Sequence, residues 1–141
     1  MRFVVDAPND KSWFRLETEG EAVQESQLMR HAVEKYFRIE SEKAIQSYQP
    51  ASKSFIEQDI GLKAHIQRAM PLFLTLRDQD GKAHVTAMLP PGGKTDAGAR
   101  CIIVGPGNAD PYPGEGEAIK ALANHFGLTL ERERCYPYQR G

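Results

Sequence analysis

Six short segments of the chain either alternate apolar and polar residues or form unbroken apolar runs. Such segments predict β-strands, because successive side chains of a strand point to opposite faces of a sheet. The predicted strands cover residues 3–5, 13–17, 72–77, 84–89, 101–104 and 128–130. The runs at 72–77 and 84–89 flank the turn sequence Asp78–Gly81, and they therefore predict a β-hairpin.

Between these strands, apolar residues recur at spacings of three and four, which predicts helices. The predicted helices cover residues 19–48, 54–70 and 117–126. The first is one long helix, or two helices with a kink near residues 40–42, and it begins with a capping box formed by Thr18 and Glu21. Leu122 and Phe126 lie on the apolar face of the third helix, so both side chains are predicted to be buried against the sheet.

The segment from residue 101 to residue 130 combines a strand, a helix and a second strand. This order and spacing favour a right-handed βαβ crossover with two parallel strands. The sequence therefore predicts a single α+β domain over residues 1–141. We expect a mixed sheet with a central β-hairpin and a C-terminal βαβ unit, and two N-terminal helices packed on the sheet.

Charge and hydrophobicity argue against several classes of partner. The 141 residues include 18 basic and 19 acidic side chains, and the resulting net charge of −1 gives no electrostatic basis for binding nucleic acid. No apolar run approaches the roughly 20 residues of a membrane span. The first residues reach Asp6 and Pro8 too soon for a signal peptide, so we expect a cytoplasmic protein.

The sequence contains two cysteines, Cys101 and Cys135, which are too few for a disulfide framework. We interpret them as free thiols of a reducing compartment, and their distance from each other stays open. His31 has no second potential ligand at helical spacing, and no metal site is predicted. His31 and His65 are interpreted as solvent-exposed residues of the N-terminal helices.

A loop rich in glycine and proline follows the strand at 101–104. Ligands of α/β proteins usually bind at the carboxyl ends of strands, so this loop, residues 105–116, is the predicted ligand contact. The candidate ligand-binding residues are Gly105, Gly107, Gly114, Glu115 and Gly116. The same residue types are also typical of turns that bind nothing.

The order of elements from about residue 1 to residue 132, together with Gly114-x-Gly116, resembles the core of GNAT-type N-acetyltransferases. In that family, the amides of this loop hold the pyrophosphate of acetyl-CoA. The resemblance implies acetyl-CoA as a cofactor, and it implies Tyr136 or Tyr138 as the general acid that follows the splayed strand. Glu115 and Glu117, however, bring negative charge to the place where the phosphates would lie, which opposes their binding.

No catalytic triad, carboxylate pair or metal-binding spacing converges in the sequence. The predicted function is therefore a non-catalytic binding or regulatory module, which binds a small ligand or a protein partner and needs no cofactor. An N-acyltransferase is the alternative. Apolar residues of the N-terminal helices, such as Tyr36, Ile45 and Tyr48, are predicted to offer a surface to a partner or to a second copy in a homodimer.

Overall fold

The computed structural model describes residues 1–50, 54–94 and 101–137. Within these ranges the strands are β1 (Arg2–Ala7), β2 (Lys11–Arg15), β3 (Leu72–Arg77), β4 (Ala83–Leu89) and β5 (Ile102–Val104). The α-helices are α1 (Glu19–Met29), α2 (Val33–Ser47), α3 (Phe55–Ala69), α4 (Tyr112–Phe126) and α5 (Arg132–Cys135). No helix within these ranges is both long enough and apolar enough to cross a membrane.

The five strands form one sheet in the order β1-β2-β3-β4-β5. Every neighbouring pair is antiparallel, including the predicted hairpin of β3 and β4. The predicted α+β class and the central hairpin are therefore confirmed. The predicted mixed sheet is wrong for the described residues, because no parallel pair occurs among these strands.

The predicted C-terminal βαβ unit is also wrong, because residues 128–130 do not join the sheet. Gly127 ends α4 in the left-handed conformation (φ 67°), as expected of a glycine cap, and the Leu128 amide turns back to the Ala123 carbonyl at 2.8 Å. The Leu130 side chain is buried in the core, and its carbonyl accepts a hydrogen bond from the Tyr112 hydroxyl at 3.1 Å. The alternating apolar residues Leu128 and Leu130, which predicted a strand, therefore pack against the core beside α4 instead of pairing in the sheet.

The long N-terminal helix is broken at residues 30–32, ten residues before the predicted kink. Arg30 caps α1 in the left-handed conformation (φ 56°), and the amides of Arg30 and His31 both donate to the Ser26 carbonyl. The Ser26 hydroxyl also accepts from the Glu34 amide at 3.2 Å, which ties α2 to α1. The capping box of Thr18 at the start of α1 is present as predicted.

The sheet separates two hydrophobic cores. One face, which includes Trp13 and alternate residues of β3 and β4, packs against Leu122 and its neighbours on α4. The Trp13 indole donates to the Ala118 carbonyl at 2.8 Å, which fixes α4 on the sheet. The opposite face packs against α1, α2 and the end of α3, where Phe73 contacts Phe37 with ring centroids 5.2 Å apart. The N-terminal helices therefore lie on the sheet as predicted.

The two residues that were predicted to bury α4 differ in the structure. Leu122 is fully buried, whereas Phe126 is only half-buried and lies over Gly93, where a Cβ would approach the Phe126 ring to 2.4 Å. We expect Leu122→Ala to lower the free energy of unfolding by about 2–5 kcal/mol and Phe126→Ala to lower it less, because less area returns to water. Urea unfolding measures the free energy of unfolding of both variants, and an equal decrease would contradict the difference in burial between Leu122 and Phe126.

Candidate functional site

A cavity of about 210 Å³ opens between the start of α2, strands β4 and β5, and the loop after β5. Its apolar lining comes from Val33, Phe73, Met88, Ile102, Val104 and Pro137. Its polar lining comes from His31, Tyr36, Thr86 and Asn108. A concave and mostly apolar site with a few polar groups is the usual form of a small-molecule site in proteins.

His31 reaches this cavity because of the break between α1 and α2. With Arg30 in the left-handed conformation, His31 lies in the connecting turn rather than on an exposed helical face. Its ring contacts Thr86, which lies on the helix-facing side of β4 and is 3% exposed. The interpretation of His31 as a solvated residue is therefore wrong. His65, the other histidine of these helices, is also half-buried, and it contacts Ser47 at 2.8 Å.

A chain of buried hydrogen bonds runs from His31 into the protein. His31 Nε2 lies 2.8 Å from Thr86 Oγ1, and Thr86 Oγ1 donates to Glu25 Oε2 at 2.5 Å. The other oxygen of Glu25 accepts from Arg77 Nη2 at 2.7 Å. Arg77 Nε donates in turn to Thr75 Oγ1 at 2.9 Å. Glu25 has no exposed surface, so its charge is compensated entirely by these buried partners.

The hydrogen-bond chain determines the tautomer of His31. The Thr86 hydroxyl has one hydrogen and donates it to Glu25, so it accepts from His31, whose proton must lie on Nε2. The remaining nitrogen, Nδ1, accepts a long contact of 3.4 Å from the Val33 amide. Burial lowers the pKa of His31 below its usual value, although the charges of Glu25 and Glu34 oppose this effect. The imidazole is therefore neutral at pH 7.

These contacts favour binding over nucleophilic catalysis. The Thr86 hydroxyl is 3% exposed and donates to Glu25, so it neither reaches a substrate nor gives its proton to His31. What the site offers a ligand is an apolar wall, a neutral imidazole whose Nδ1 has only a weak partner, and the polar groups of Tyr36 and Asn108. In the described part of the chain, no group of three or more histidine, cysteine or acidic residues is placed to hold a metal ion.

The loop that was predicted to bind the ligand is divided between two places. Its first part lies beside the cavity: Gly105 is buried, its amide donates to the Ala109 carbonyl at 2.7 Å, and Gly107 is exposed with φ 64°. Asn108, which was not a candidate, lines the cavity. Gly114 and Gly116 belong to α4 and line a separate groove with Pro8 and Asn9. The structure therefore does not bring the five candidates together.

The contacts of Glu115 bear on the acetyltransferase alternative. The Glu115 amide donates to the Pro111 carbonyl at 2.8 Å, so it is not available to a phosphate. The Glu115 carboxylate binds Lys11 Nζ at 2.6 Å and lies 3.8 Å from His84 Nδ1. A cleft between parallel strands is also missing from the described residues, since all pairs are antiparallel. The geometry that would hold acetyl-CoA is thus not observed there.

Of the two tyrosines that were candidates for a general acid, the structure describes only Tyr136. The Tyr136 hydroxyl donates to the Asn108 carbonyl at 2.9 Å, and the ring lies 5.7 Å from the Arg132 guanidinium. These contacts anchor the C-terminal segment on the loop after β5. Tyr138 lies outside the described residues.

Sequence reasoning missed Glu25, Thr86 and the role of His31. A signal was present for Glu25, because it falls between Ala22 and Met29 at the spacing of the buried face of α1. Thr86 alternates with the buried residues Val85 and Ala87, so the pattern indicated that it would be exposed.

Comparison of the chain with protein-family models, with curated proteins and with solved structures found no match. Function is therefore inferred from the chemistry of the site itself.

Because the pKa of His31 is lowered in the folded protein, we expect the free energy of unfolding to depend on pH. Between the folded-state pKa of His31 and its ordinary value of 6.5, the unfolded chain binds more protons than the folded one. The free energy of unfolding should therefore rise with pH through that window and level off above it. His31→Gln keeps a donor for Thr86 but cannot titrate, so the rise should disappear in this variant.

Urea unfolding at a series of pH values from 5 to 8 measures the effect, since most carboxylates titrate below this range. His125→Gln is the matched control, because His125 is exposed on α4. This control should keep the pH dependence of the wild type. A rise that is lost in the control, or kept in His31→Gln, would contradict the assignment to His31.

Proposed function

We propose that the protein is a binding module for a small, neutral, mostly apolar molecule that carries a hydroxyl group. The observation that carries this proposal is the cavity whose apolar wall is interrupted by the neutral His31 imidazole. The proposal keeps the predicted non-catalytic binding function and moves its site from the glycine residues to the cavity. The expected cytoplasmic location is part of the same proposal.

The size of the cavity limits the ligand. An apolar cavity of about 150 Å³ accepts benzene, whereas sites for drug-sized ligands run from about 300 to 1,000 Å³. A volume of about 210 Å³ supports a ligand with a single substituted ring or a short branched chain. A nucleotide or coenzyme A is much larger than this volume.

The polar groups of the cavity limit the charge of the ligand and determine which hydrogen bonds the ligand can make. None of the described lining residues carries a charge at pH 7, because His31 is neutral and the Glu25 and Arg77 charges neutralise each other beneath Thr86. A charged ligand would lose its hydration without gaining an ionic partner. A ligand hydroxyl, by contrast, can donate to His31 Nδ1 in place of the long contact from Val33.

Phenol and toluene, which are close in size, test this proposal. We expect phenol to bind the cavity more tightly, by roughly fivefold, because one net hydrogen bond contributes about 1 kcal/mol. Ligand-observed NMR and calorimetry measure the two affinities. His31→Leu should reduce the preference for phenol, since leucine offers the ligand hydroxyl no acceptor in place of Nδ1.

A second variant tests the location. Ala32→Leu adds bulk to the cavity lining and should abolish binding of both compounds. Ala64→Leu is the matched control, because Ala64 is half-buried on α3 and does not line the cavity. Failure of phenol and toluene to bind, or undiminished binding in Ala32→Leu, would contradict the proposal.

A second candidate function, association with another copy of the chain, is favoured by the apolar surface of α2 and α3. On α3, Phe55 is 88% exposed, Ile56 74% and Ile60 62%. On α2, Tyr36 and Ile45 are exposed as predicted, whereas Tyr48 is half-buried and its ring lies 5.3 Å from that of His65. Several large apolar side chains exposed on two neighbouring helices often mark an interaction site.

Charge on α3 supports a second copy as the occupant. The N-terminal half carries Glu57 and Asp59, and the C-terminal half carries Lys63 and Arg68; Asp59 and Lys63 are also paired with each other on the surface at 3.1 Å. Two copies of α3 that cross in antiparallel orientation about a two-fold axis would place each acidic half against the basic half of the other copy. We propose this pairing as the basis of the expected homodimer.

Sedimentation velocity across a concentration series tests the homodimer. Ile56→Glu should shift the protein toward the monomer, because a charge would be buried in the apolar contact. Leu28→Glu is the control, since Leu28 is similarly apolar and exposed but lies on α1. A wild-type protein that stays monomeric throughout the series would contradict this second candidate.

A further inference from the structure

The second ring nitrogen of His31, Nδ1, lies beside a hydrogen-bond donor, the amide of Val33. The two nitrogens are 3.4 Å apart, and both residues line the cavity. While the imidazole is neutral, Nδ1 accepts weakly from this amide, because the proton of the ring is on Nε2 and is donated to Thr86. The amide of Glu34, which follows along α2, donates to the Ser26 hydroxyl at 3.2 Å, so it is the Val33 amide that faces the imidazole.

Protonation of His31 reverses the role of Nδ1. The Thr86 hydroxyl gives its hydrogen to Glu25, so Nε2 keeps its own proton and a second proton can bind only at Nδ1. Nδ1 then becomes a donor that faces the donor of the Val33 amide. Two donors at this distance repel each other unless an acceptor lies beside both of them.

The charged groups around His31 are bound to partners other than Nδ1. Glu25 of α1 is bound through one oxygen to β4 and through the other to Arg77 of β3. Glu34 of α2 accepts from a serine hydroxyl of α1, and Tyr36 of α2 brings its phenol to the cavity. The described lining residues from β4, β5 and the loop after β5 have no ionisable side chain. The acceptor that a protonated Nδ1 needs is therefore one that a ligand brings.

We propose that the cavity also binds small aromatic carboxylates, and that each carboxylate is bound together with one proton on His31. This inference rests on the proposed binding function and extends it to a second class of ligand. One carboxylate oxygen accepts from Nδ1 and the other from the Val33 amide, while the ring of the ligand lies on the apolar wall. The positive imidazole and the negative ligand neutralise each other, so the site gains no net charge.

The two classes of ligand should respond to pH in opposite directions. Burial keeps the pKa of His31 below its usual value of 6.5, so the imidazole of the free protein is neutral above that pH and benzoate must take up a proton on binding. The affinity for benzoate should therefore fall by about tenfold per pH unit in this range. Phenol binds the neutral imidazole, so its affinity should stay constant there and should weaken only at lower pH, where His31 becomes protonated.

Calorimetric titration of the full chain with benzoate, benzamide and phenol at pH 6.5 and pH 7.5 tests the proposal. Benzoate stays ionised and phenol stays neutral at both values, since carboxyls titrate near about pH 4 and phenols near about pH 10. Benzoate should bind about tenfold more tightly at pH 6.5 than at pH 7.5, whereas benzamide, which resembles it in shape but has no charge, should bind equally at both. Equal benzoate affinity at the two pH values would overturn the proposal.

The proton itself can be counted and assigned. Titration at pH 7.5 in buffers of different ionisation enthalpy should show that about one proton is taken up per benzoate bound. In NMR titrations of the histidine ring signals, saturating benzoate should raise the pKa of His31 and saturating phenol should lower it. Binding of benzoate without proton uptake, or with no change in the titration of His31, would contradict the proposal.

Variants test the residue, with circular dichroism as a check of folding. His31→Gln keeps a donor for Thr86 but cannot take up a proton, so both the proton uptake and the pH dependence of benzoate binding should disappear. His125→Gln is the matched control, because His125 is exposed on α4, and it should bind benzoate as the wild type does. Proton uptake that persists in His31→Gln would show that another group carries the proton.

The phenol titration separates this inference from the proposed function. If phenol binds and benzoate does not, the cavity accepts only neutral ligands and the inference is wrong. If benzoate binds with proton uptake and phenol does not bind, the carboxylate site stands and the proposed preference for a hydroxyl group is wrong. If neither compound binds, both proposals are wrong.

Discussion

Glu25 is a carboxylate with no access to solvent, and much of the fold depends on how its charge is compensated. Arg77 and Thr86 both donate to it, and they come from β3 and β4, so α1 is fixed on the two central strands of the sheet. Loss of one partner of such a buried pair typically costs about 3–5 kcal/mol, because an uncompensated charge remains. The buried contact therefore fixes the position of α1 relative to these strands, because any displacement would leave the Glu25 charge uncompensated.

The position of α1 in turn creates the cavity. Since Glu25 holds α1 on the sheet, the left-handed turn at Arg30 must bring His31 next to Thr86, and α2 then starts from a point above β4. Because the Thr86 hydroxyl donates its hydrogen to Glu25, it can only accept a hydrogen bond from His31. One buried charge thus determines the tautomer of an imidazole that lies two hydrogen bonds away.

The elements that local patterns encode were predicted well, and those that depend on distant partners were not. The β3–β4 hairpin follows from alternation around a turn, and the start of α1 follows from its capping box. The strand at 128–130 was wrong because alternating apolar residues look alike whether they pair in a sheet or only cover a helix. The break at Arg30 lacks a glycine or proline, so no local signal distinguishes it from the middle of a helix.

The site was missed for the same reason. A glutamate on the buried face of an amphipathic helix is read as an interruption of the apolar pattern, unless the arginine that compensates it is known, and Arg77 is 52 residues away. His31 alone has no pattern that tells a solvated side chain from a buried one. Burial of each polar group depends on the others, so only the assembled network reveals any of them.

The glycine-rich loop after β5 is nevertheless central, although for a reason other than the one its glycines indicated. Its amides serve its own turns, as that of Gly105 does with the Ala109 carbonyl. Its polar groups instead hold the C-terminal segment: Asp110 binds Arg132, and the Asn108 carbonyl accepts from Tyr136. Asn108 also lines the cavity, so the same loop holds the C-terminal segment and forms part of the cavity wall. The loop contacts that fix α5 therefore also hold this part of the cavity wall in place.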